Sequence, residues 1–286
     1  MTNLKPLVAA IALGTAAFAA NASMVTVNGV SFNPGDQLVS STIWETALAR
    51  VTDTLSGVGI VTQINNSGGL GTTWTSGQNN TQLTYFFTGY TVGAWYGLVG
   101  ANVVKYSGAT LGAAGFANAL AIDFVGGSVK LYTDSVTTGT VLNPSAAGST
   151  VAGDIAKATD GDLWLEYAGV STTSFTLGLG LRTGSLLAAS AGGNSAHVGG
   201  NGFGYLNVVD NSAPAAFHFD TNSLNVGGVI ADARMDSSYS TTNAGAWPLS
   251  GTLSIKTNAI PEPASLALVG LGLLGAGFAR RRKSTK

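Results

Sequence analysis

Apolar residues recur along this chain in short runs bounded by Gly, Asn, Asp or Pro, and no long stretch carries an amphipathic helical period. Strands are predicted at Met24 to Phe32, Val58 to Ile64, Leu83 to Val92, Ala119 to Phe124, Val129 to Tyr132, Leu163 to Tyr167, Ser174 to Arg182, Phe203 to Val209, Ala215 to Phe219 and Leu249 to Ile255. In Ser174 to Arg182 the residues Phe175, Leu177, Leu179 and Leu181 alternate as those of a half-buried strand do. Gly126-Gly127, flanked by apolar positions, reads as a hairpin turn. One helix is predicted, Ile43 to Val51, opened by Ser41 or Thr42 with Glu45 in its first turn. Leu186 to Gly204 is rich in Gly, Ala, Ser and Asn and reads as a long loop. The expected fold is all-β, an antiparallel β-sandwich or jelly roll in one domain.

The two ends break this pattern. Residues Met1 to Lys5 are polar and close on a positive charge, and Pro6 to Ala20 is almost wholly apolar. That is the layout of a signal peptide. Ala20 and Ala22 put small residues at the two positions a signal peptidase reads, so the cut is expected between Ala22 and Ser23. At the other end Pro261-Glu262-Pro263 precedes an apolar run, Ala264 to Ala279, and then Arg280, Arg281, Arg282 and Lys283. Sixteen residues rise about 24 Å as a helix, just enough to span a bilayer with snorkelling or thinning at its rims. The basic cluster orients such a helix with its C-terminal end in the cytoplasm and the preceding domain outside. The expected organisation is therefore a signal peptide at 1–22, an extracellular Gly-rich β-domain at 23–258 and a sorting segment at 260–286.

Composition changes the picture in three ways. The 286 residues hold 40 Gly and no Cys, so a large core must provide the stability that disulfides give smaller secreted domains. The net charge of −1 hides an acidic central domain: from Ser23 to Ile260 there are 7 Lys and Arg against 13 Asp and Glu, 7 − 13 = −6. Nucleic acid and anionic lipid, which need clustered cations, are excluded as partners. The only histidines are His197 and His218, and alternation with Phe217 and Phe219 turns His218 toward solvent. With no Cys and no Gly-x-Ser-x-Gly elbow after a strand, no catalytic constellation emerges and no cofactor is implied. Asp160-Gly161-Asp162, with Asp154 nearby, either supplies oxygen ligands to Ca²⁺ or forms a tight turn. Trp74, Tyr85, Phe86, Phe87, Tyr90, Trp95 and Tyr96 crowd one stretch and can serve as a sugar-stacking platform or as core.

The ordered tail resembles the PEP-CTERM sorting signal of exopolysaccharide-producing Gram-negative bacteria, a motif also labelled the ice-binding protein C-terminal domain. Pro261, Glu262 and Pro263 match its signature and Arg280, Arg281 and Arg282 its cluster. The resemblance implies transient anchoring in the inner membrane, recognition by an exosortase, cleavage near the Pro-Glu-Pro and release to the surface or matrix. It implies nothing about ice, since the Thr pairs at 72–73, 137–138, 172–173 and 241–242 follow no period. Ile43-Trp44-Glu45, then Leu55 to Val61, then Leu83 to Tyr90 resemble the ectodomain of flocculation-associated PEP-CTERM proteins. That resemblance implies a non-enzymatic role with secreted polysaccharide in biofilm or floc formation. A carbohydrate-binding module is the alternative, and a polysaccharide hydrolase, which needs a facing pair of carboxylates, is a third reading.

Overall fold

A computed structural model describes residues 24–33, 35–66, 71–113, 119–137, 141–190, 199–209, 213–241 and 246–257. The expected signal peptide with its cleavage residues, the Pro-Glu-Pro motif, the apolar run 264–279, the basic cluster and His197 lie outside these residues. Among the described residues no helix is long and apolar enough to cross a membrane.

Among the described residues eighteen strands follow one another: β1 (Val25–Val27), β2 (Val30–Phe32), β3 (Gln37–Glu45), β4 (Thr54–Val61), β5 (Gln63–Asn65), β6 (Thr72–Thr75), β7 (Thr81–Val99), β8 (Asn102–Ser107), β9 (Ala121–Ser135), β10 (Asp162–Val170), β11 (Thr172–Thr176), β12 (Gly180–Gly184), β13 (Leu186–Ser190), β14 (Gly199–Val208), β15 (Leu224–Val226), β16 (Val229–Ala231), β17 (Ala233–Thr241) and β18 (Leu249–Thr257). The all-β expectation holds, but the sheet does not split into the two layers of a sandwich or jelly roll. Antiparallel pairing runs β3, β4, β7, β9, β13, β14, β17, β18 and back to β3, which closes an eight-stranded barrel. The long strands β7 and β9, of 19 and 15 residues, pair from Thr81–Ser135 to Tyr96–Ala121 and join what a sandwich would leave as edges.

One wall position is shared. Toward the end of the barrel where β3 begins, β10 lies between β9 and β14, with Tyr167 opposite Val129 and Val208. Toward the other end β13 fills the same place, with Leu186 opposite Phe124 and Gly204. Between the two the chain leaves the wall as a ribbon of β11 and β12. The exit is tight: a Cβ on Gly169 would lie 2.4 Å from the Gly126 carbonyl oxygen, and one on Gly184 would lie 2.5 Å from that of Phe124. Only glycine permits such backbone approach.

The inward side chains fill the barrel with Tyr85, Phe87, Val92, Trp95, Val129, Leu131, Leu165, Leu206 and Ile255, among others, all buried. On β4 the glycines Gly57 and Gly59 face in and the rings of Phe87 and Tyr85 lie over them, 2.3 Å from where a Cβ would stand. Small residues on one strand thus make room for large ones on the next. The lower end is plugged by Phe32, Trp164 and Phe219, whose rings meet at 4.7 to 5.8 Å. Trp164 and Trp74 tie the β1–β2 hairpin there by donating to the carbonyls of Val27 (3.1 Å) and Gly29 (3.2 Å). Outside the barrel, a helix from Val151 to Ala158 covers the outward faces of β4 and β7, and Trp44, Val58, Leu142, Ala158 and Trp247 make a second small core there. Thr150 caps it at Gly153 N–H (3.1 Å), and the Thr84 hydroxyl donates to the Ala158 carbonyl at its other end (2.8 Å).

Several expectations are corrected. Ile43–Val51 is not a helix: β3 runs through Glu45 with Ile43 and Glu45 inward and Trp44 outward, a period of two. Gly126-Gly127 is not a hairpin turn, because β9 passes straight through it, its positive φ values of 71° and 88° bending the strand where the Tyr90 ring crosses Gly127. Ser174–Arg182 folds back on itself at Leu177-Gly178-Leu179, and Phe175, Leu177 and Leu181 are exposed, not half-buried. Leu186–Gly204 contributes β13 and the start of β14 to the wall in place of a long loop. Ala215–Phe219 holds one helical turn, Ala216–Phe219, which buries His218 against Phe32 with ring centroids 5.7 Å apart.

The ribbon is fastened by one ion pair. Arg182 on β12 reaches over the β9–β13 seam, its Nε donating to Asp123 Oδ1 (2.7 Å) and its Nη2 to the carbonyls of Ile122 (2.8 Å) and Ala188 (2.7 Å). The Tyr96 hydroxyl donates to the other Asp123 oxygen at 2.9 Å, and the guanidinium lies over the Tyr96 ring. Arg182 and Asp123 are both fully enclosed, so removing one strands the other without water. Arg182→Met is expected to destabilise by about 3–5 kcal/mol in urea denaturation. The double change Arg182→Met with Asp123→Leu should recover most of that loss.

Candidate functional site

The barrel ends differ in chemistry. The lower end is sealed by aromatic packing, whereas the upper end, where β3 finishes, opens as a funnel lined from every wall position. Its walls are apolar: Ile43, Leu55, Phe87, Phe124, Met235 and Leu253 face inward there. The cavity is about 40 Å³, within an envelope of about 630 Å³ that takes in open solvent. The Thr46–Asp53 turn brings Leu48 over the rim, and Asp53 holds that turn by accepting from the N–H groups of Ala49 and Arg50, both at 2.8 Å.

Five polar side chains interrupt the apolar wall; the Thr46 and Ser237 hydroxyls donate to the carbonyls of Ser56 (3.1 Å) and Gly202 (3.4 Å), which leaves Glu45, Tyr239 and Tyr90. Glu45 enters at the last residue of β3, with 6% of its surface exposed. The ion pairs of the described residues, Lys130–Glu166, Arg182–Asp123 and Arg234–Asp236, leave Glu45 aside. Burial pushes its carboxyl up to about 8, so Glu45 is a neutral acid at neutral pH. Tyr239 faces it from β17, and its phenol is pushed up to about 12 by burial first and by the Glu45 charge second. Tyr90 lies deeper, its hydroxyl buried with no hydrogen-bond partner among the described residues. Burial raises that phenol above its ordinary range.

The residues singled out in the sequence fall elsewhere. Trp74 and Trp95 are fully buried, and their indole N–H groups go to the Gly29 and Leu111 carbonyls. Tyr85, Phe87, Tyr90 and Tyr96 are buried as well, so this stretch is core and not a sugar platform. Asp154 is separated from Asp160 and Asp162: it sits under the outer helix, where its carboxylate accepts from Trp247 Nε1 (2.9 Å) and from the Ser149 hydroxyl. Asp160 and Asp162 line an open polar groove of about 470 Å³ with Asn28, Asn80 and Asp134. Among the described residues no group of three or more His, Asp or Glu is placed to hold a metal ion. Sequence reasoning missed Glu45 as a lumen group because it was assigned to a helix. An acid on the apolar face of a β-alternating run was the available signal.

The geometry defines an all-β domain closed into a barrel, with a buried acid and two phenols in its upper mouth. Directly after the last strand, residues 259–283 match the family model described as the PEP-CTERM protein-sorting motif. The chain thus carries the signal of an exosortase-sorted, exported protein placed at the cell surface or outside the cell. No curated protein and no solved structure matches the chain.

The mouth acid makes stability depend on pH. Glu45 holds its proton in the folded state up to about pH 8 and loses it near 4.5 when unfolded, so the folded state binds more protons between those values. Stability from this group is full below about pH 4.5 and falls as pH rises toward 8. Glu45→Gln is expected to flatten that decline, leaving the variant more stable than the parent at pH 8.5 by roughly 2–5 kcal/mol. Urea midpoints at pH 5 and pH 8.5 provide the check.

Proposed function

We propose that this chain is a non-enzymatic component of the extracellular matrix that works with secreted polysaccharide in biofilm or floc formation. Residues 1–22 direct export and are removed between Ala22 and Ser23. The apolar run 264–279 then holds the protein in the inner membrane, with Arg280, Arg281, Arg282 and Lys283 on the cytoplasmic side. Exosortase cuts near Pro261-Glu262-Pro263 and releases the barrel.

The sorting motif carries this reading, its Pro-Glu-Pro starting four residues beyond Thr257, the end of the barrel wall. The fold is compatible with a matrix role because ring closure protects a chain rich in Gly, Ser and Thr without any disulfide. The carbohydrate-module alternative loses its clearest support, since Trp74 and Trp95 are interior. Polysaccharide contact in the matrix reading falls instead to the polar outer surface.

The test is the mass of the C-terminal peptide of protein recovered from the cell surface and medium of the native host. Loss of everything beyond the Pro261 region, abolished when exosortase is deleted, is the expected result. An intact C-terminus at Lys286 in the membrane fraction of the parent strain would defeat the sorting step. Floc or biofilm mass in a deletion strain, restored by the parent gene, checks the matrix role.

A further inference from the structure

We propose that the upper mouth of the barrel is a binding site for a small uncharged molecule with an apolar body and one hydrogen-bond-accepting oxygen, such as a medium-length ketone or ester. The walls supply the first half of the argument. Ile43, Phe87, Phe124, Leu186, Met235 and Leu253 come from six of the wall strands and converge on one funnel, open at the end away from the Phe32–Trp164 plug. Water is held poorly along these six side chains, which offer it no polar partner. An eight-stranded barrel has room for one small ligand of this kind.

The polar groups supply the second half. The Tyr90 hydroxyl is buried in the funnel wall and makes no hydrogen bond among the described residues. A buried donor without an acceptor is costly, and an incoming carbonyl oxygen would relieve it. Glu45 stands nearer the rim and, being neutral, offers a second O–H donor facing the funnel. Both groups call for an acceptor. A carboxylate ligand would bury its charge against a wall that holds no Lys or Arg. An ammonium ligand would require Glu45 to ionise where burial opposes it. The accepting end of the molecule would meet Tyr90 and Glu45, and its apolar body would lie along the funnel beneath Leu48.

The inference stands apart from the matrix role, since neither outcome of a binding experiment bears on sorting. The test titrates heptan-2-one into the full chain at pH 6.5 by calorimetry or NMR, with hexylamine and hexanoate as charged counterparts. The expected result is saturable 1:1 binding of the ketone and much weaker binding of both charged molecules. Tyr90→Phe removes only the unpartnered hydroxyl, and should weaken binding about five-fold or more while leaving thermal unfolding unchanged or improved. Glu45→Gln, which keeps a donor, should retain binding, and Glu45→Leu should reduce it. Ketone binding indifferent to Tyr90→Phe, no saturable ketone binding, or preference for hexylamine would each overturn the proposal.

Discussion

The pairing of β7 with β9 is the constraint on which the architecture rests. It occupies most of both strands, and with it the sheet has to bend fully round on itself. Bending needs places where the backbone can turn sharply without losing its ladder. Gly89 on β7 and Gly126 and Gly127 on β9 provide one, all three with positive φ and set face to face. A flat version of this sheet would leave two long edges and an apolar face in water. Closure removes the edges and turns that face into a lumen.

The same bend allows the irregular wall. At Gly126 and Phe124 the carbonyls of β9 meet the Ser185 hydroxyl, at 2.6 and 3.2 Å, just where the chain returns from the β11–β12 ribbon. Backbone acceptors at the break between β10 and β13 are thus satisfied by a side chain. Arg182 then folds the ribbon base down over the seam, and its pairing with Asp123 makes the outward excursion rigid at its root. The ribbon's outer face, with Phe175 opposite Leu181, stays in solvent.

Local pattern disclosed part of this. The strands at Val58, Leu83, Leu163 and Leu249 were readable because their apolar positions alternate or run unbroken between turn residues. The Asn28-Gly29 pair that splits Met24–Phe32 into β1 and β2 carries the hairpin signal of an Asn-Gly turn. What stayed hidden depends on distant partners. Gly57 and Gly59 look like interruptions until the rings of Phe87 and Tyr85 lie across them. Gly126-Gly127 has the chemistry of a turn, and only the presence of β7 beside it makes it a bend. Gln37–Glu45 and Ala233–Thr241 carry too many Gln, Ser, Thr and Asp for sequence to declare as strands. The burial of Glu45 is likewise a property of β4 and β18 on either side of β3.

The pairing of β3 with β18 sets the order of events during export. Gln37 and Ser254 hydrogen-bond across 217 residues, so the first and last strands of the ring are neighbours. Contacts of such long sequence separation form slowly and late. The ring therefore stays open until nearly the whole domain has been delivered, and its closing strand is the one joined to the sorting motif. From Thr257 to Pro261 the chain reaches at most about 14 Å. Under the proposed anchoring by the run 264–279, a folded barrel still joined to its tail would lie close to the bilayer, β18 nearest, with little slack between the wall and the Pro-Glu-Pro.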